Sequence, residues 1–115
     1  MKTPVMILFA VLLAAGCSED PARPEVPIVA PAPLTADQAV LWARSCGLCH
    51  ADGTGGAPVL GNSEAWAGRV AKGKAVLMEH TLYGFNNMPP LGYCMACEEA
   101  DYSAMIDFMA GRVVP

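Results

Sequence analysis

The pentapeptide Cys46-Gly47-Leu48-Cys49-His50 places two thiols three residues apart and an imidazole immediately after the second. That spacing fits covalent attachment of a c-type haem, in which the thiols add across two porphyrin vinyl groups and the adjacent histidine swings beneath the iron. A zinc site would need a matching ligand quartet, and a thioredoxin-type dithiol would need a βαβ context, neither of which the sequence offers. A second pair, Cys94-Met95-Ala96-Cys97, lacks the histidine and is followed by Glu98. Taken alone, its spacing is open to a structural disulfide, a catalytic dithiol or a zinc site.

A haem iron needs a sixth position, and two kinds of side chain compete for it. Met88 lies 38 residues after His50 in Asn86-Asn87-Met88-Pro89-Pro90. The residue before a proline is kept out of the helical region, so this loop can stay extended and aim a soft thioether at iron. Such a ligand raises the reduction potential. His80 is the rival, on a helix face shared with Val76 and Leu77, where a histidine is more often a packing residue. Met105 and Met109 read as core, while Met78 and Met95 have no rigid context that would present them to a metal.

Helices must position these groups. Thr35-x-x-Gln38 is a capping box, and Ala36, Ala39, Val40 and Ala43 continue at helical spacing toward Cys46, which would close this first helix. Ser63 would cap a second helix through Ala65, Trp66, Arg69 and Val70. A third is expected over 74–83, stopped by Gly84. The last, over 99–110, carries Tyr102, Met105, Ile106 and Met109 along one face, with Glu98, Glu99 and Asp101 near its positive end. No segment alternates as a strand and no internal repeat occurs. The expected fold class is all-α, about four helices around one haem.

The N-terminus reads as an export signal over 1–16: Lys2, an apolar run from Val5 to Ala15, then Gly16-Cys17. Eleven apolar residues fall short of the roughly 20 that a membrane-spanning helix requires. Leu12 to Cys17 resembles a bacterial lipobox, which would make Cys17 the lipidated first residue of a periplasmic, membrane-anchored lipoprotein; the alternative is cleavage near Ala15. Residues 17–34 form a linker in which Pro21, Pro24, Pro27, Pro31 and Pro33 exclude a helix. As polyproline II, the seventeen residues 18–34 would reach about 50 Å at ~3.1 Å per residue, enough to hold a small domain clear of a bilayer. The folded domain is then 35–115. From Cys17 onward six Lys and Arg face eleven Asp and Glu, a formal charge of −5 that argues against nucleic acid and for a partner with a basic surface.

CGLCHADGTGGAPVLG, YGFNNMPPLGYCMAC and the final amphipathic helix together resemble the class I cytochromes c of the cytochrome c5 type, over residues from about 34 to 112. The resemblance implies iron ligation by His50 and Met88, with the Pro58 carbonyl accepting the other ring N–H of His50. It also implies that Cys94 and Cys97 form a disulfide, consistent with an oxidising periplasm. That bridge would stabilise by roughly 2 kcal/mol or less and serve mainly to pin the end of the Met88 loop. The cysteines then balance as one lipid anchor, two thioethers and one disulfide. Two departures stand out: Glu98 where the family tends to have a serine cap, and Leu91 and Tyr93 where small or basic residues are common. The function implied is a non-enzymatic carrier of single electrons between a donor and an acceptor protein, with no small-molecule substrate. The alternative is a haem protein whose sixth site is vacant or labile, binding a small ligand or showing weak peroxidase activity.

Overall fold

The computed structural model describes residue 30 and residues 32–115. The expected signal over 1–16, Cys17 and most of the proline linker lie outside the described residues. Among the described residues no helix is long and apolar enough to cross a membrane, and the only β-type pairing is an isolated bridge between Phe85 and Met88.

Five α-helices follow in order: α1 (Ala36–Arg44), α2 (Gly47–His50), α3 (Ser63–Val70), α4 (Lys74–Tyr83) and α5 (Glu99–Ala110). Four match the expected set; the fifth, α2, covers the last four residues of the Cys46–His50 pentapeptide. The capping box that starts α1 is formed, with the Gln38 N–H donating to Thr35 Oγ1 and the Thr35 N–H donating to Gln38 Oε1. This helix ends two residues before Cys46 rather than at it. Ser45 leaves the helical region at φ −134°, ψ −95°, and its hydroxyl donates back to the Leu41 carbonyl at 2.6 Å. The break redirects the chain so that Cys46 takes the cap position of α2 and is buried. Gly47 permits close packing there, since a Cβ on it would lie 3.0 Å from the Trp42 ring.

The cap of α3 is Asn62 rather than Ser63: its side-chain oxygen accepts from the Ala65 N–H at 3.1 Å. At α5 the weakness of Glu98 as a cap is offset from the other direction, because the Asp101 carboxylate accepts the Glu98 N–H at 3.0 Å. The same carboxylate takes the Gln38 amide at 3.1 Å and so ties α5 to the start of α1. Trp42 meets Phe108 edge-to-face, centroids 5.6 Å apart, reinforcing that crossing.

Tyr102, Met105, Ile106 and Met109 are all buried, as their spacing along α5 requires. Met105, Ile106 and Met109 join Trp66 and Val70 of α3, Leu77 of α4 and Cys46 in one core cluster. Lys74, at the start of α4, holds the end of the chain. Its ammonium pairs with Asp107 at 2.6 Å, its N–H donates to the Pro115 carbonyl, and Asp107 accepts the Val114 N–H.

Candidate functional site

A cavity of about 370 Å³ opens between α2, α3, α4 and the loop that follows α4. Cys46, Cys49, His50 and Met88 all line it, although they come from parts of the chain up to 42 residues apart. Each reaches it for a local reason.

Cys46 is buried, with its sulfur 4.0 Å from the Met105 sulfur, and burial pushes its thiol pKa up. Cys49 lies one helical turn on and is half-buried. His50 ends α2 with its ring buried, and Nδ1 lies 2.8 Å from the Pro58 carbonyl. A carbonyl can only accept, so Nδ1 carries the proton and the Nε2 lone pair is left for another partner. Burial holds the imidazole pKa below its usual value, the Pro58 bond partly opposes this, and the Arg69 charge adds to the depression. The neutral ring that results is the form that binds a metal. Trp66 stacks on the same ring at 5.7 Å and is itself fixed by its indole N–H donating to the Val59 carbonyl at 2.9 Å. The Leu60 N–H donates to the His50 carbonyl at 2.8 Å and closes the loop around the histidine.

Met88 is presented by a tight turn. The backbones of Phe85 and Met88 exchange two hydrogen bonds, of 3.0 and 2.9 Å, across Asn86 at φ +53°. Gly84 enters this turn at φ +87°, and a Cβ there would stand 2.9 Å from the Met88 carbonyl oxygen. Beyond the two prolines, Leu91 at φ +60° and Tyr93 at φ +63° also adopt the left-handed region. All three non-glycine residues with positive φ among those described therefore fall within eight positions around Met88, a concentration of strain typical of a constrained functional loop. Gly92 is buried where a Cβ would lie 3.4 Å from the Met88 methyl and 3.7 Å from the Cys46 sulfur.

Cys94 and Cys97 are joined by a disulfide with Cα atoms 5.4 Å apart. The buried Tyr102 hydroxyl donates to the Cys94 carbonyl at 2.6 Å and fastens this bridge to α5. Among the described residues no group of three or more His, Cys, Asp or Glu is poised to hold a metal ion. The zinc reading of the second cysteine pair therefore has no ligand set.

His80 also lines the cavity, but its ring lies flat on Phe85 at 3.9 Å and 12°, a packing arrangement that Lys72 extends from 5.5 Å over the Phe85 ring. Among the described residues, Arg69 and Lys72 are the only Lys, Arg, Asp or Glu side chains that border the cavity. Leu77, Ile106 and Met109 supply an apolar wall. Two thiols, an imidazole, a thioether, an apolar wall and an uncompensated cationic rim together fit a haem, whose ring is apolar and whose propionates are anionic. Spacing did not reveal Arg69, Lys72, Trp66 or Asn87 as lining residues, because their approach to the cavity depends on how the helices pack.

A family model described as cytochrome c oxidase, cbb3-type, subunit III matches residues 33–109. A cytochrome c5 from Azotobacter vinelandii is 41% identical over 71 residues, covering 60% of this chain and 86% of that protein. A cytochrome c-555 from Chlorobaculum thiosulfatiphilum is 32% identical over 72 residues, covering 59% and 84%. A mono-haem ferrocytochrome c from Shewanella putrefaciens superposes with a TM-score of 0.60 at 38% identity, over 70% of this chain and 99% of that one. A cytochrome c solved in an electron transfer complex with nitrite reductase gives 0.59 at 36% identity, over 68% and 95%.

Proposed function

Because this chain belongs to the class I cytochromes c of the c5 type and carries single electrons on one covalently attached haem rather than acting as an enzyme, we propose that Cys46 and Cys49 form the thioethers and that His50 and Met88 are the axial ligands. The observation that carries this reading is the convergence of these four side chains on one cavity whose charged lining, among the described residues, is cationic. Bound there, the haem supplies reversible one-electron chemistry between ferrous and ferric iron.

The protein's own residues do the rest. The Pro58 carbonyl fixes the His50 tautomer, and Trp66 limits rotation of its ring. Leu77, Ile106 and Met109 would shield a haem held there from water, and Arg69 and Lys72 would complement its anionic propionates. The strained turn around Met88 and the Cys94–Cys97 bridge at its far end keep the thioether from giving way to water. A vacant or labile sixth site is not favoured by these features or by the relatives.

The expected partners are redox proteins, as for the related cytochrome c in its complex with nitrite reductase. The formal charge of −5 from Cys17 onward favours a basic docking surface on at least one of them. Export to the periplasm with Cys17 lipidated is supported by the sequence over 1–17 and by the linker that would hold the domain off the bilayer. Cys17→Ser should release the protein from the membrane fraction, and retention there would sink the anchor.

Visible spectra of the wild type and Met88→Ala, oxidised and reduced, test the ligand assignment. The wild type should be low-spin with the weak long-wavelength iron–sulfur band, and the variant should lose that band and bind carbon monoxide rapidly. A variant spectrally identical to the wild type would transfer the assignment to His80 or to an open site.

A further inference from the structure

The loop after the attachment motif turns through Thr54–Gly56, and Gly55 lies there at φ +67°. The Asn87 side-chain amide donates to the Gly55 carbonyl at 3.0 Å, linking positions 32 residues apart. Both residues line the cavity. Among the described residues, every other hydrogen bond made by Phe85–Tyr93 joins positions three apart: Phe85 with Met88, Pro89 with Gly92, Leu91 with Cys94. The Met88 turn is therefore internally stiff, but a single hydrogen bond connects it to the opposite wall.

That wall carries the support for His50. Three residues beyond Gly55, Pro58 offers the carbonyl that takes the Nδ1 proton, and two residues further Leu60 donates to the His50 carbonyl. Asn87 is the immediate neighbour of Met88. A bond from Asn87 to Gly55 thus fixes the side that presents the thioether relative to the side that orients the imidazole. We propose that Asn87 is a positioning residue, a latch across the cavity mouth that holds Met88 closed toward the iron. This rests on Met88 being the sixth ligand. The bond is exposed to solvent, so it contributes little to global stability. Its effect falls on how often the Met88 loop opens, which is a local rather than a global unfolding event.

The test is the rate of carbon monoxide binding to the reduced protein, read beside the iron–sulfur band, the reduction potential and the thermal midpoint. Asn87→Ala removes the donor, Asn87→Asp keeps the shape but places a carboxylate against the Gly55 carbonyl, and Asn87→Gln keeps an amide one methylene longer. Loss of a bond that orients a metal ligand typically costs about 10–100-fold. Alanine and aspartate should therefore bind carbon monoxide at least about tenfold faster than the wild type, at a lower potential and with a nearly unchanged midpoint. Glutamine should recover most of the difference. If alanine and aspartate stay within about twofold of the wild type while Met88→Ala binds quickly, the latch is overturned and the ligand assignment survives. If Met88→Ala keeps the iron–sulfur band, the ligand assignment itself fails and the latch fails with it. A fall in midpoint with no change in rate would make Asn87 a structural residue only and also overturns the proposal.

Discussion

Tyr102 does two jobs with one hydroxyl. Its ring is part of the core, and its O–H reaches the Cys94 carbonyl at 2.6 Å, so the disulfide loop is fastened to α5 through a buried bond. Sequence spacing identified the residue as core but could not identify the hydroxyl's partner, because that depends on how the Cys94 loop folds back. Tyr102→Phe leaves the Cys94 carbonyl without its donor and should destabilise the haem-loaded protein by about 1–3 kcal/mol. Burial raises the Tyr102 pKa above its ordinary value of 10.0. A raised folded-state pKa means that the associated stability is fully present below about pH 10 and is lost as pH rises through the folded value. Urea denaturation from pH 8 to 11.5 should show the wild type losing stability above pH 10 and Tyr102→Phe losing less. Parallel curves for the two proteins would mean that another group titrates.

At the scale of elements, the helices were legible because their signals are local. The capping box at Thr35, the apolar stripe of α5 and the stop at Gly84 each depend on neighbours within one or two turns. The differences at the boundaries are local too, and lie in which of several neighbouring polar side chains bonds the helix end. Helix α1 ends at Arg44 because Ser45 back-bonds to Leu41 and the chain must turn Cys46 inward; Asn62 takes the cap position because its side chain reaches Ala65. The convergence on one cavity was legible from motif chemistry, whereas the cationic rim and the Asn87 bond needed three dimensions. Gly84 shows how a helix end serves the site. At φ +87°, with the Met88 carbonyl oxygen 2.9 Å from where a Cβ would be, it admits no side chain. Gly61 at φ +73° has open space around it and serves as the control. Gly84→Ala should cost more stability than Gly61→Ala, by about 1–3 kcal/mol, and should weaken the iron–sulfur band while Gly61→Ala leaves it intact. Equal losses in both variants would mean that the backbone conformation alone matters and the contact with Met88 does not.

For the molecule as a whole, the cavity sits where a domain of this size would otherwise have its core. The described domain is small, and chains of such length are marginal without a covalent or metal staple. Trp66, Leu77, Ile106 and Met109 belong both to the buried core and to the cavity lining, so removing the haem exposes one side of the packing that remains. At roughly 24 cal/mol per Å³, leaving about 370 Å³ unfilled corresponds to about 9 kcal/mol as an upper bound, since the walls can relax and water can enter. That is comparable with the entire stability of a typical domain, about 5–15 kcal/mol. The unloaded chain is therefore expected to keep part of its helix content but lose its fixed packing. Replacing both Cys46 and Cys49 by alanine, which removes the proposed thioether attachment, and purifying the protein without haem should give a far-UV helical signal with little near-UV signal and a broad, non-cooperative thermal transition. Reconstitution with non-covalent haem should restore a cooperative transition, because a ligand that binds only the folded form stabilises it by mass action. A sharp transition in the unloaded variant, near the wild-type midpoint, would show that α3, α4 and α5 pack adequately alone and that haem contributes chemistry but little architecture.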